Sequence, residues 1–157
     1  MDCTFQTKEG RFNYRVGAII TSDLGLLVVS NTKEPFFYSV GGRVKMGETA
    51  DAAIEREVYE ETGSQIKTKA LGFIHENFFT SDLTGEEYHE ISFYYYVELQ
   101  NTEIFCESCN EFDEEEQLQW VLFDRLTQLD IRPTFLKELT KNKNETIQHL
   151  VQRESID

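Results

Sequence analysis

No run of about 18 apolar residues occurs in the chain, so no membrane-spanning helix is expected. The first residues, Met1-Asp2-Cys3-Thr4-Phe5, lack a basic segment followed by an apolar stretch. They do not read as a secretory signal, and a cytoplasmic protein is the expectation. Only three cysteines are present, and Cys106 and Cys109 form a lone C-x-x-C without a second pair or a nearby histidine. Zinc usually takes four ligands, so reduced thiols are expected there rather than a zinc site. Internal repeats, low-complexity linkers and a second domain-like composition zone are all missing, which points to one domain over residues 1–157. With 39% hydrophobic and 13% aromatic residues, that domain has enough apolar material for a packed core.

The most uneven shortage is of positive charge. Between Ala70 and Asp124 there is no Lys or Arg but there are fourteen Asp and Glu, whereas the segments on either side nearly cancel. This stretch therefore accounts for the whole net charge of −14. A surface built from it repels a phosphate backbone, so long nucleic acid is not an expected partner. Most of the fourteen carboxylates are explained by solubility alone.

Alternation and turn residues predict a hairpin from strands Phe12–Ile20 and Leu24–Ser30 around Thr21-Ser22-Asp23. The paired glycines Gly41-Gly42 suggest a backbone position that a side chain would forbid. A helix is predicted over Ala50–Thr62, capped by Thr49 and ended by Gly63. Further strands are predicted over Lys67–Phe79, His89–Leu99 and Leu118–Phe123, with turn chemistry at 80–85. The tail, about 133–154, reads as helical: Pro133 suits a first helical position, and Asn144 caps a segment with Ile147, Leu150 and Val151 on one side. Mixed strands, a central helix and C-terminal helices make an α/β sandwich.

Helical arithmetic gathers the carboxylates of the predicted helix. With Glu57 at zero, Glu61 lies about 40° to one side and Glu60 about 60° to the other, while Ile54 and Val58 form the adjoining core stripe. Ala53, one turn before Glu57, offers only a methyl group and is expected to leave room there. Like charges so spaced destabilise a helix unless something positive sits among them, and oxygen donors suit Mg²⁺ or Mn²⁺. On charge alone, a solvated glutamate-rich helix is the preferred explanation of the pattern.

The order of residues around that helix is more specific. Gly42, Glu48 and Arg56-Glu57-Val58-Tyr59-Glu60-Glu61-Thr62-Gly63 resemble the signature of the Nudix hydrolases (MutT-like), G-x5-E-x7-R-E-U-x-E-E-x-G-U, at eight of its nine specified positions. Ser64 replaces the final aliphatic residue, and Val40 stands where many members have proline before the glycines. The signature covers residues 42–64, and the predicted order from Phe12 to Leu139 is compatible with the family's α/β/α sandwich on a mixed central sheet. Within the family the chain is similar to a bacterial subgroup with an Arg-Phe-x-Tyr-Arg-like first strand, a Glu-Asn-Phe-Phe segment as at 76–79, and a pair like His89-Glu90.

The resemblance implies a Mg²⁺- or Mn²⁺-dependent hydrolase acting on the diphosphate linkage of a small nucleoside diphosphate derivative. Glu57, Glu60 and Glu61 would be metal ligands, Glu48 and the Gly42 carbonyl would support the metal, and Arg56 would orient the glutamates. The general base lies in the signature or in a later loop; Glu114 and Glu111 are the leading later candidates, and Glu90 is third. Arg15, Arg43 and Lys45 are the expected phosphate-holding cations, with Arg11 behind them. Phe78, Tyr88 and Tyr95 are candidates for stacking on a base. His75, His89 and His149 show no metal-ligand spacing. Two alternatives remain at this level: removal of a terminal diphosphate from RNA, which the acidic stretch disfavours, and a non-catalytic nucleotide-metabolite sensor. Such sensors often lack signature glutamates, whereas all four are present here. A homodimer is compatible with the sequence.

Overall fold

The computed structural model describes residues 1–104, the backbone of 108–109, and 115–154. Among these residues the strands are β1 (Thr4–Gln6), β2 (Arg11–Ser22), β3 (Gly25–Asn31), β4 (Phe37–Tyr38), β5 (Val40–Arg43), β6 (Ile66–Thr80), β7 (Glu87–Leu99), β8 (Ser108–Cys109), β9 (Glu115–Val121), β10 (Ile131–Arg132) and β11 (Gln148–Arg153). One α-helix, α1 (Ala50–Thr62), lies between β5 and β6. No described helix is long and apolar enough to cross a membrane.

The strands form a mixed sheet in the order β10-β4-β3-β2-β7-β6-β11, with β1 and β5 added along β2 and β9 along β3. Strand β2 organises it. Its tip closes a hairpin with β3 through Thr21↔Leu26 and Ser22↔Gly25, while its body runs parallel to β7 from Arg11↔Tyr88 to Ile20↔Val97. The hairpin expected from the sequence is thus present only at its tip, because β3 leaves β2 to pair with β9 from Leu26↔Val121 to Asn31↔Glu116.

Strict alternation divides the core into two. Val16, Ala18 and Ile20 of β2, with Leu27, Val29, Tyr95, Val97 and Leu99, pack against Ala50, Ala53, Ile54 and Val58 of α1. Residues one position out of phase, Ile19, Leu26, Val28, Tyr94 and Tyr96, build the opposite layer with Phe73, Leu126, Ile131 and Leu136. That layer is roofed by two 3₁₀ turns, Phe123–Gln128 and Thr134–Glu138, which supply Leu126 and Leu136.

The helical tail is overturned. Pro133 sits extended at ψ 154° ahead of a five-residue 3₁₀ turn, and Leu139 returns to extended backbone with ψ 143°. Residues 148–153 form β11, parallel to β6 from Gln148↔Phe73 to Arg153↔Phe78. The spacing of Ile147, Leu150 and Val151 suits a helix face, but the open edge of β6 offers a row of unpaired backbone groups, and satisfying them outweighs local propensity.

Candidate active site

Helix α1 begins and ends where its capping residues dictate. Thr49 Oγ1 accepts from the Ala52 N–H at 3.1 Å, and Gly63, at φ 73°, donates its N–H to the Tyr59 carbonyl at 2.9 Å. Ala50, Ala53, Ile54, Val58 and Thr62 form its buried stripe. Ala53 therefore fills the core rather than leaving space beside Glu57. Ser64, the departure from the signature, is buried and hydrogen-bonded: its Oγ accepts from the Asn101 N–H at 3.2 Å and donates to the Gln65 carbonyl at 3.3 Å. It ties the helix end to the segment after β7. Val40 is wholly buried opposite Ala18, so the position commonly held by proline here carries a core side chain.

The signature residues converge through Arg56. Its guanidinium grips Glu48 with two bonds, Nε to Oε1 at 2.7 Å and Nη2 to Oε2 at 2.9 Å, and reaches Glu57 Oε1 at 2.6 Å and Glu60 Oε2 at 3.4 Å. Nη2 also donates to the Arg43 carbonyl at 3.1 Å, tying helix to β5. Glu48 accepts further from the Lys45 N–H at 2.9 Å, and the hydrogen bonds from Arg56 hold its carboxyl down at about 2. Glu48 in turn raises the Arg56 pKa. Glu57 is largely shielded, with a side-chain exposure of 13%, whereas Glu60 is at the surface with 52%.

The paired glycines let the helix come close. A Cβ on Gly42 would fall within the Glu57 carboxylate, and the Gly41 N–H donates to Glu61 Oε2 at 2.9 Å. Gly42→Ala should accordingly displace Glu57 without unfolding the sheet, and misplacement of about 1 Å is enough to lower turnover roughly 10²-fold. Turnover measured beside an unchanged circular dichroism spectrum checks this.

A fifth carboxylate was not foreseen. Glu116, on β9 opposite Asn31, is buried, and its Oε2 accepts no hydrogen bond. Burial raises its pKa, Arg15 opposes that rise, and Glu57 adds to it. Burial likewise raises Glu57 against the pull of Arg56, and it lifts Glu61 well above its ordinary value, with Glu116 and Glu57 adding to the rise. Glu57, Glu61 and Glu116 thus share one electrostatic neighbourhood with Arg15. The signal was in the sequence: carrying the alternation of Leu118 and Trp120 back two residues puts Glu116 on their face.

Arg15 and Arg43 are paired partners on β2 and β5, and both are half-buried. Lys45 is exposed in the loop before Glu48. Glu90 is bound by Asn13, whose Nδ2 donates to its Oε2 at 3.1 Å. Glu111, Glu114 and Cys106 lie outside the described residues, as does the side chain of Cys109. Tyr95 is buried and donates to Asp51 Oδ1 at 2.7 Å, so it anchors the helix and does not face a ligand. Phe78 packs on His89 with ring centroids 4.4 Å apart, and Tyr88 stacks on Phe79 at 5.0 Å. An open groove of about 650 Å³, lined by residues such as Met1, Phe5, Tyr14 and Phe93, flanks β1 and contains none of these carboxylates.

Among the described residues no three Asp, Glu, His or Cys side chains already stand gathered as a metal cage. The donor set nonetheless suits a hard cation. Burial raises the proton affinity of Glu57 and Glu61, with Glu60 adding to it at Glu57 and Glu57 adding to it at Glu61. Carboxylate oxygens under such repulsion match Mg²⁺ or Mn²⁺ in ligand type and charge.

No curated protein matches the chain. Among solved structures, a MutT NUDIX hydrolase from Burkholderia pseudomallei is 25% identical, with a TM-score of 0.64 over 82% of this chain and 98% of that one. A mutator MutT protein from Bacillus halodurans superposes with a TM-score of 0.67 at 17% identity, over 87% of this chain and 89% of that one. An ADP-ribose pyrophosphatase from Streptococcus suis does so with a TM-score of 0.61 at 13% identity, over 87% and 98%. The last two likenesses speak for the fold. The NUDIX domain model matches residues 11–147, the span that carries β2 to β10, α1 and the linked glutamates, and the chain belongs to that family of hydrolases.

Proposed function

We propose that this chain hydrolyses the diphosphate linkage of a small nucleoside diphosphate derivative with the help of Mg²⁺ or Mn²⁺. The observation that carries the reading is the Arg56 hub, which binds Glu48, Glu57 and Glu60 and ties them to β5 through the Arg43 carbonyl. Glu57, Glu60 and Glu61 would hold the metal, supported by Glu48 and the Gly42 carbonyl. A divalent ion bound there screens the diphosphate charge and lowers the pKa of a bound water. Arg15 and Arg43, with Lys45 at the rim, hold the substrate phosphates. Glu116 takes the proton from the attacking water. It faces the signature glutamates from a separate strand, and one of its oxygens lacks a hydrogen-bond donor.

The test is a hydrolysis screen with and without Mg²⁺ or Mn²⁺, over nucleotide sugars, ADP-ribose, dinucleoside polyphosphates and oxidised nucleoside triphosphates, with 5′-triphosphate RNA alongside. Metal-dependent turnover of at least one small nucleotide is expected, with little on RNA, because a polymer must pass the acidic stretch within a Debye length of roughly 8 Å. Efficient RNA processing with no small-nucleotide turnover would overturn the reading.

On the substrate so found, Glu116→Gln should lower kcat by about 10²- to 10⁴-fold with metal affinity nearly intact. Glu111→Gln and Glu114→Gln are the comparison variants. A loss of that size in one of them, with Glu116→Gln near normal, would assign the base to the segment before β9.

A further inference from the structure

Helix α1 covers only part of its side of the sheet. It packs over Val16, Ala18 and Ile20 of β2 and over Tyr95 and Val97 of β7, with Tyr14 and Phe93 bordering that core. Beyond them the same face runs on through Phe12, Ile91 and Phe78, which belong to neither core cluster. The open groove of about 650 Å³ lies there, lined by Phe12, Tyr14, Ile91 and Phe93.

On this face one side chain from each of five strands joins a ladder across the sheet. Phe5 stacks on Phe12 with ring centroids 5.1 Å apart, Phe12 meets His89 edge-on at 5.6 Å, His89 lies against Phe78 at 4.4 Å, and the Arg153 guanidinium caps Phe78 at 4.0 Å. Every step joins register partners, from Phe5↔Phe12 on β1 and β2 to Arg153↔Phe78 on β11 and β6. The next row along the strands holds Tyr14, Ile91, Glu76 and Val151, and the one after it Phe93, Ile74 and His149. Phe5 and Val151, at opposite margins, are 56% and 55% exposed. Charge on the face is balanced: Glu76 Oε2 lies 2.7 Å from His149 Nε2 with Arg153 on the same strand, and at the other margin Asp2 bridges to Lys45. Histidines apart, two acids meet two bases on a chain of net charge −14.

We infer that this face is where a second copy of the chain docks, giving a two-fold dimer packed sheet to sheet. Two copies of so acidic a chain repel one another across most of their surfaces, and a neutral apolar face is where they can meet. A two-fold axis parallel to the strands lays β11 of one copy over β1 of the other, so that Arg153 and His149 face Asp2 while the aromatic rows meet in the middle. The area is sufficient. Five strands about 4.8 Å apart and three rows about 6.7 Å apart, with the width of the side chains, outline roughly 600 Å² on each copy. A total of about 1,200 Å² is at the lower bound of specific interfaces, so association in the micromolar range is expected.

Sedimentation equilibrium of the full chain tests this without reference to hydrolysis. Between about 1 and 200 µM an 18.3 kDa monomer should give way to a species of twice that mass. Phe5→Arg and Val151→Arg should each weaken association by about tenfold or more, since both place an unpaired charge in the apolar contact. Leu24→Arg changes the net charge equally at the exposed tip of the β2–β3 hairpin and should leave association unchanged. Unchanged melting temperatures exclude unfolding as the cause. A chain that stays monomeric throughout, or a dimer that Phe5→Arg and Val151→Arg leave as tight as the parent's, would overturn the inference. A monomer whose groove instead takes up dodecanoate would overturn it too, and would assign the face to an apolar ligand.

Discussion

Replacing Glu57 and Glu61 together by glutamine should abolish divalent-metal binding and lower metal-dependent hydrolysis by about 10³-fold or more. The size follows from the several kcal/mol of transition-state charge stabilisation that a metal supplies, each ~1.4 kcal/mol being a factor of ten. Burial drives both side chains toward the protonated form, with Glu60 adding to the rise at Glu57 and Glu116 and Glu57 to that at Glu61, so a cation gains more from them than from exposed carboxylates. The double variant should still fold, because glutamine keeps the volume and an oxygen that accepts from Arg56 and from the Gly41 N–H. Mg²⁺ and Mn²⁺ calorimetry, thermal melts and turnover check the three parts. Metal affinity equal to the parent's would put the site elsewhere.

Arg56→Ala should have the second-largest effect, on stability and activity together. Removing one partner of a mostly buried ion-pair network costs about 3–5 kcal/mol, since the remaining carboxylates lose their compensation. Here Glu48 and Glu57, with side-chain exposures of 16% and 13%, would be stranded. Arg56→Lys should recover little, because an ammonium cannot reproduce the two parallel bonds to Glu48. The pH dependence separates this pair from general damage. Glu48 is held at about 2 in the folded protein against an ordinary 4.5, so its contribution is full above 4.5 and is lost as pH falls toward 2. Chemical denaturation between pH 5 and 3 should therefore show a steeper stability loss in the parent than in Arg56→Ala.

What was legible in the sequence is what short-range chemistry decides. Thr49 and Gly63 fixed both ends of α1, and the spacing from Gly42 to Gly63 identified the linked glutamates, because caps and helical periods act within a few residues. Strands β6 and β7 could be read from their alternation for the same reason. The tail could not. Whether Ile147, Leu150 and Val151 make a helix face or an edge strand depends on β6 having a free edge, a fact settled about 70 residues earlier in the chain. Glu116 was passed over because an acidic run hides which of its members turns inward, and that is set by pairing with Asn31.

The late arrival of β11 has a consequence during synthesis. Until residues 148–153 leave the ribosome, the backbone groups of Phe73–Phe78 have no neighbour on their outer side, and a naked strand of this kind can template pairing with another nascent copy. From Ala70 to Asp124, a stretch that includes this edge, the sequence has fourteen Asp and Glu and no Lys or Arg. Two unfinished chains meeting edge to edge would bring like charges together, so the acidic stretch keeps them apart until each chain's own tail seals its sheet.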